Sequence, residues 1–213
     1  MNKKKIMIIS ICAIIAFIIL GVAIYFITRN VTENANENKL SKMYDKMMEK
    51  ETYAISFKLD DNNHYTVSRK GNMANIDLYH DGSHTTNIVR DGNTILLMHN
   101  TQRYYTYQNN EMELTELSNE LDEILQSQEP QKGEEEINGK KYKYEEYQGV
   151  LYFLMNSDSV ISKESAITRF YFKGNELKYI KTMMGEETEL LQVDVSYDVD
   201  NNIFEIPENF QEG

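Results

Sequence analysis

Cysteine is all but missing from this sequence. Cys12 is the only one, so no disulfide can form within the chain, and the residues beyond it must be held by an apolar core. Nucleophilic catalysis has no address: there is no Gly-x-Ser-x-Gly elbow, no glycine-rich phosphate loop, and no thiol beyond residue 12. Only two prolines occur, Pro130 in a stretch read as a loop and Pro207 just past the last strand pattern. Basic residues are scarce as well, 22 against 34 acidic. Lys3, Lys4, Lys5 and Arg29 are the only charges in residues 1–29, which leaves 18 basic against 34 acidic beyond them. So negative a surface repels nucleic acid and anionic headgroups and tolerates cationic ligands, and no nucleic-acid partner is expected.

What is present begins with one long apolar run, "IMIISICAIIAFIILGVAIYFI", residues 6–27, without a charge. At ~1.5 Å per residue it is long enough for a hydrocarbon core of ~30 Å. A signal peptide has a shorter core ending at a small-x-small site, and here Gly21 to Ala23 lies inside the run, so an uncleaved anchor is the favoured reading. The lysines before the run set the N-terminus inside. The expected organisation is a cytoplasmic stub at 1–5, a transmembrane signal anchor at 6–28, a polar linker at 29–39 and one extracytoplasmic domain at 40–211. That is a single-pass cell-membrane protein.

Leu40, Met43, Tyr44 and Met47 recur at helical spacing and predict an amphipathic first helix. From residue 52 the period is two: Tyr53, Ile55, Phe57 and Leu59 alternate with Ala54, Ser56, Lys58 and Asp60, and Ala74, Ile76 and Leu78 repeat the pattern. "DDNN", "KGN", Asp81-Gly82 and Asp91-Gly92 mark the turns of an antiparallel meander. "TILLMHN" at 94–100 is apolar on both faces and reads as a central or doubly covered strand, followed by the aromatic strand "RYYTYQ". Asn110 and Glu113 form a capping box before a stripe of Leu114, Leu117, Leu121, Ile124 and Leu125, a second helix. "QKGEEE" reads as a loop and "KKYKYEEYQ" as a strand, whereas "GVLYFLM" fits a strand or a short helix equally. Ala166, Thr168, Phe170 and Phe172 share one strand face. In "LLQVDVSYDVDNNIFEIPENF", Leu191, Val193, Val195, Tyr197 and Val199 form another, with Pro207 ending the last pairing at "IFEI". The fold class read from these elements is α+β: a single curved antiparallel sheet of about 9–11 strands, an unclosed half β-barrel covered by two helices, plus the N-terminal transmembrane helix.

The order of elements, a helix before "TYAISFKL", a meander with repeated Asp-Gly turns, a helix, then "TRFYFKGNELKYIK" and "LQVDVSYDVDNNIFEIPENF", resembles the LolA-like family of lipoprotein-localisation carriers and their Gram-positive relatives. The likeness spans about residues 38–211 and is strongest over 166–210. It implies an unclosed barrel of eleven strands with a helical lid, whose apolar cavity holds acyl chains. The carriers proper are soluble shuttles, and their basic entrance residue has no counterpart placed here.

The residues expected to line such a cavity are Phe57, Leu59, Ile76, Leu78, Leu114, Leu117, Leu121, Phe170, Phe172, Val193 and Val195. The function expected is binding without catalysis, with a lipid or lipoprotein as ligand and no cofactor. The alternative is a cavity-free interaction or sensory module that pairs with another envelope protein through an edge strand or the tyrosine-rich surface. An envelope hydrolase ranks last for want of a motif. His64, His80, His84 and His99 all fall between residues 64 and 99. His80-x-x-x-His84 straddles the Asp81-Gly82 turn, and cross-strand ligation with Asp77 or Asp81 is geometrically open. Solvated turn histidines are the favoured reading, and no metal is assigned.

Overall fold

The computed structural model describes residues 38–108, 128–148 and 166–213. Asn38 opens helix α1, Lys39–Lys50, by accepting from the Lys42 amide. Leu40, Tyr44 and Met47 are buried along one stripe while Lys42, Asp45, Lys46 and Glu49 face water. The period then switches to two. Strands β1 (Thr52–Asp60), β2 (Asn63–Lys70), β3 (Met73–His80), β4 (Ser83–Arg90), β5 (Asn93–Met98) and β6 (Arg103–Gln108) form one meander. Strands β7 (Gln131–Ile137), β8 (Lys140–Gln148), β9 (Ala166–Lys173), β10 (Glu176–Met184) and β11 (Glu187–Ser196) form a second, and β12 (Gln211–Glu212) closes the series.

All twelve strands belong to one sheet in the order β12-β6-β5-β4-β3-β2-β1-β11-β10-β9-β8-β7. The meanders join where β1 pairs antiparallel with β11, placing Ile55 opposite Val195 and Phe57 opposite Val193. Tight turns set the register. At Asp81-Gly82 (φ 44° and 83°), Asp91-Gly92 (51° and 73°) and Asn138-Gly139 (51° and 74°) both central residues are left-handed, the conformation whose twist suits a two-residue hairpin.

The sheet has two differently furnished faces. On the helix face, Tyr53, Ile55, Phe57, Val67, Ile76, Ile180, Leu191 and Val193 are buried. Here α1 runs from β8 toward the end of β11: Glu145 on β8 accepts from the Lys39 and Leu40 amides at 2.7 and 3.0 Å, and Lys46 lies 4.3 Å over the Tyr197 ring. A buried carboxylate on the first free amides satisfies both the helix end and itself. On the opposite, tail face, Val199 and Phe204 from the chain after β11 pack on Ile88, Ile95 and Leu97. A 3-10 turn over Asn201–Phe204 is capped by Asp200, and Arg90 donates to the Phe204 carbonyl and pairs with Glu205 at 2.6 Å. The tail ends with β12 parallel to β6.

Several expectations are corrected by this architecture. The sheet has twelve strands rather than 9–11, and the described residues hold one helix, not a two-helix cover with a transmembrane helix. The second helix expected from residue 110 and the "GVLYFLM" segment lie outside the described residues. Among the described residues no helix is long and apolar enough to cross a membrane. The expected single-pass membrane localisation therefore finds no support here, and residues 6–28 lie outside the described part. "QKGEEE" is strand β7 because its backbone pairs with β8 whatever its side chains. β5 is third from one edge rather than central, with Ile95 and Leu97 buried on the tail face and Met98 exposed. β11 stops at Ser196, so Val199 is buried on the face opposite Val195, and "IFEI" enters the 3-10 turn instead of pairing.

Candidate functional site

The helix face collects the described residues expected to line a ligand surface. Cross-strand register sets Val193, Phe57, Tyr65 and Leu78 in one row, with the Phe57 and Tyr65 rings stacked at 4.6 Å. A second row holds Leu191, Ile180 and Phe170. Phe57, Ile76, Phe172 and Val193 are buried, Leu78, Phe170 and Val195 half-buried, and Leu59 is 40% exposed at the strand end. Leu114, Leu117 and Leu121 lie outside the described residues. Tyr53 and Arg69, opposite each other on β1 and β2, are both buried on this face, and Arg69 Nε donates to the Gly71 carbonyl at 2.7 Å. Burial pushes the Tyr53 phenol up to about 12 despite the guanidinium beside it.

The row at the far end of this face, from β8 to β11, is polar along its length. Tyr147 on β8 lies opposite Thr168 on β9, Thr168 opposite Thr182 on β10, and Thr182 opposite Glu189 on β11. Tyr147, Thr168 and Thr182 are almost wholly buried. Among the described residues, the shielded Thr168 Oγ1 and Glu189 Oε1 have no hydrogen-bond partner, and the shielded Tyr147 hydroxyl has only the Glu145 carboxylate beside it. Each such group costs about 1–3 kcal/mol, and native proteins satisfy the large majority. Burial raises the Glu189 carboxyl to about 7, with no neighbouring cation among the described residues to offset it. The Tyr147 phenol is pushed up by burial and then by the Glu145 carboxylate. With strands about 4.8 Å apart, the row is a polar seam ~14 Å long at the end of the sheet. Its signal in the sequence was slight: Glu189 falls in phase with Leu191 and Val193, a carboxylate on the dry side of an alternating strand.

The tail face carries two further polar groupings. Beside β7, Glu135 accepts from Lys181 Nζ at 2.6 Å, Tyr171 Oη at 2.6 Å and Arg169 Nη1 at 2.9 Å, and Arg169 Nε pairs with Glu146 at 2.6 Å. Burial alone would raise the Glu135 carboxyl, but these three donors hold it down to about 2. Arg169 also lies 4.5 Å over the Tyr144 ring, and Gly133 opposite Tyr144 leaves the room that ring fills. On the other half, the rings of His64, Tyr79, His84 and His99 follow one another across β2, β3, β4 and the turn after β5, and Phe210 meets His99 edge-on at 5.2 Å. Burial, then the neighbouring His84, lowers the pKa of His99. Three of the four histidines thus share one surface ladder, while His80 bonds Asn63 through Nδ1 at 2.5 Å.

No protein-family model matches the sequence, and no curated protein matches it. Among solved structures, 27 chains match. One is described as an uncharacterised conserved protein from Thermus thermophilus. It is 6% identical, the match covers 83% of this chain and 99% of that one, and the TM-score is 0.47. That likeness is too slight to carry an argument about fold or function.

Proposed function

We propose that this chain is a binding protein for an amphipathic molecule bearing an acyl chain, held on the helix face with its polar head at the Tyr147–Thr168–Glu189 seam. The observation that carries the reading is the seam itself: three shielded polar groups in one cross-strand row, two of them without a partner among the described residues, on a face built mainly of Phe, Ile, Val, Leu and Tyr. A ligand with a short polar head and an apolar tail complements both parts, since ligand sites pair an apolar lining with a few placed polar groups. Tyrosine and threonine hydroxyls donate or accept, and the carboxyl of Glu189 donates when protonated. The resemblance of residues 166–210 to the LolA-like carriers supports a hydrophobic ligand, a lipid or an acylated protein. Binding, not catalysis, suits a face with no nucleophile–base pair among its described residues.

Native mass spectrometry of the gently purified protein, followed by solvent extraction, tests the reading. A stoichiometric co-purifying amphiphile that is lost from the Tyr147→Phe/Thr168→Val double variant is the expected result. A protein that carries none and fails to take up a fluorescent fatty acid would dispose of the proposal.

A further inference from the structure

Asp77, His84 and His99 reach one point on the tail face from three separate elements: β3, β4 and the turn after β5. Their candidate ligand atoms all lie within 4.8 Å of one another. His84 Nε2 is 2.7 Å from Asp77 Oδ1, Thr86 Oγ1 donates to the same oxygen at 2.6 Å, and His99 Nε2 is 2.7 Å from Thr86 Oγ1. Because the Thr86 proton is committed to Asp77, His99 Nε2 must donate to Thr86, and His84 Nε2 must donate to Asp77. Both imidazoles therefore turn Nε2 inward, His84 onto the Asp77 carboxylate and His99 onto Thr86, which bonds that same carboxylate. Their rings stack at 3.5 Å and 11°.

We propose that Asp77, His84 and His99 bind a divalent first-row transition ion of the zinc class, with a fourth position left to water. Two imidazoles and one carboxylate are a common donor set for such ions, with metal–nitrogen and metal–oxygen distances of about 2.0–2.2 Å. Neighbouring ligand atoms then lie ~3.3 Å apart around a tetrahedral ion. The 2.7 Å Asp77–His84 contact opens slightly, separations toward the 4.8 Å limit contract, and the stacked rings splay. These are side-chain rotations; each Nε2 proton moves to Nδ1, so a neutral histidine sheds no net charge. The surroundings act as supports for the ligands: Thr86 bonds the carboxylate, Tyr79 flanks His84, and Phe210 braces His99. All three ligands are half-buried, which leaves the ion a path from solvent. Bound there, it would tie the turn after β5 to β3 and β4 beneath the tail.

Equilibrium dialysis of the full chain against Zn2+ and Co2+, with metal content measured afterwards, tests this. The expected result is one equivalent of metal bound per chain, a Zn2+-dependent rise in melting temperature, and affinity lower by on the order of 100-fold in His84→Gln and His99→Gln. His64→Gln and His80→Gln, in the same region but outside the triad, should bind as the parent does. Should a ligand variant fold poorly, the parent's Co2+ absorption spectrum still reports imidazole–carboxylate ligation. Sub-stoichiometric binding by the parent, or binding indifferent to both ligand substitutions in folded variants, overturns the proposal.

Discussion

Replacing Glu189 by glutamine should make the protein more stable, and only above about pH 5. The carboxyl is raised from 4.5 to about 7 by burial with no compensating partner, so the folded state disfavours its ionised form. For an acid whose folded pKa lies above its unfolded one, stability is complete below the unfolded value. It declines as pH rises from about 4.5 toward 7, because across that window the folded state holds the proton and the unfolded state releases it. A displacement of ~2.5 pKa units corresponds to a ceiling of ~3.4 kcal/mol at 1.36 kcal/mol per unit. Glu189 is only partly withdrawn from solvent, which reduces the working figure to about 1–2.5 kcal/mol. Glutamine keeps the shape and never ionises. Urea unfolding of both proteins at pH 4, 6 and 8.5 should show coincident midpoints at pH 4 and a variant more stable by about 1–2.5 kcal/mol at pH 8.5. Curves that stay parallel across that range would refute the assignment of Glu189 as a shielded, unpaired carboxylate, and with it part of the case for the seam.

Glu135 answers pH in the opposite sense, and other positions pack to different tolerances. Glu135, held down to about 2 by Lys181, Tyr171 and Arg169, contributes stability that is present above about 4.5 and lost as pH falls toward 2. Its side chain is 30% exposed, so Glu135→Gln should cost about 1–2 kcal/mol at pH 7 by denaturant titration and nothing measurable at pH 2. Tyr147→Phe removes a shielded hydroxyl beside only the Glu145 carboxylate and should leave the ligand-free protein within about 1 kcal/mol of the parent's stability, while amphiphile affinity drops. Phe204→Ala, at a fully buried position, should lower stability by about 3–4 kcal/mol and loosen the tail, seen as faster amide exchange at β12. Gly133→Ala would set a methyl 2.5 Å from the Tyr144 ring, displacing that ring from Arg169 at a cost of about 1 kcal/mol, with a shift in tyrosine fluorescence.

Much of the sheet was legible because its signals are local. Period-two alternation from Tyr53 to Leu59 and the left-handed Asp-Gly and Asn-Gly pairs depend on residues a few positions apart, and those hairpins formed where the pattern set them. Strand β7 was missed for the complementary reason. "QKGEEEI" has almost no apolar alternation, since it is an edge strand whose outward carboxylates discourage further pairing, and its place is secured by backbone bonds to β8 and by Glu135 meeting cations from β9 and β10. Alternation also misled at Val199. The in-phase valines of β11 continue past Ser196, but the chain there leaves the sheet and passes to the tail face, where Ile88, Ile95 and Leu97 needed cover.

The two polar sites illustrate what alternation cannot carry. Tyr147, Thr168 and Glu189 stand on different strands, and nothing within any one strand says they are level; only the register of three successive pairings aligns them. A one-residue slip in β9 would turn Thr168 to the tail face and bring Arg169 onto the seam, giving Glu189 the cation it lacks. Seam and salt-bridge network are therefore joint products of a single register. The observed one places Arg169 with Glu135 and Glu146 on the tail face, which leaves the carboxyl on the helix face unpaired. The same reasoning applies to His84 and His99. The sequence brought the histidines within one region, but it is the β4–β5 pairing and the turn after Met98 that set His99 on His84 instead of away from it. Both sites are products of register, so a substitution that shifts β9 should abolish the seam while leaving the histidine ladder in place, and one that lengthens the turn after Met98 should do the reverse.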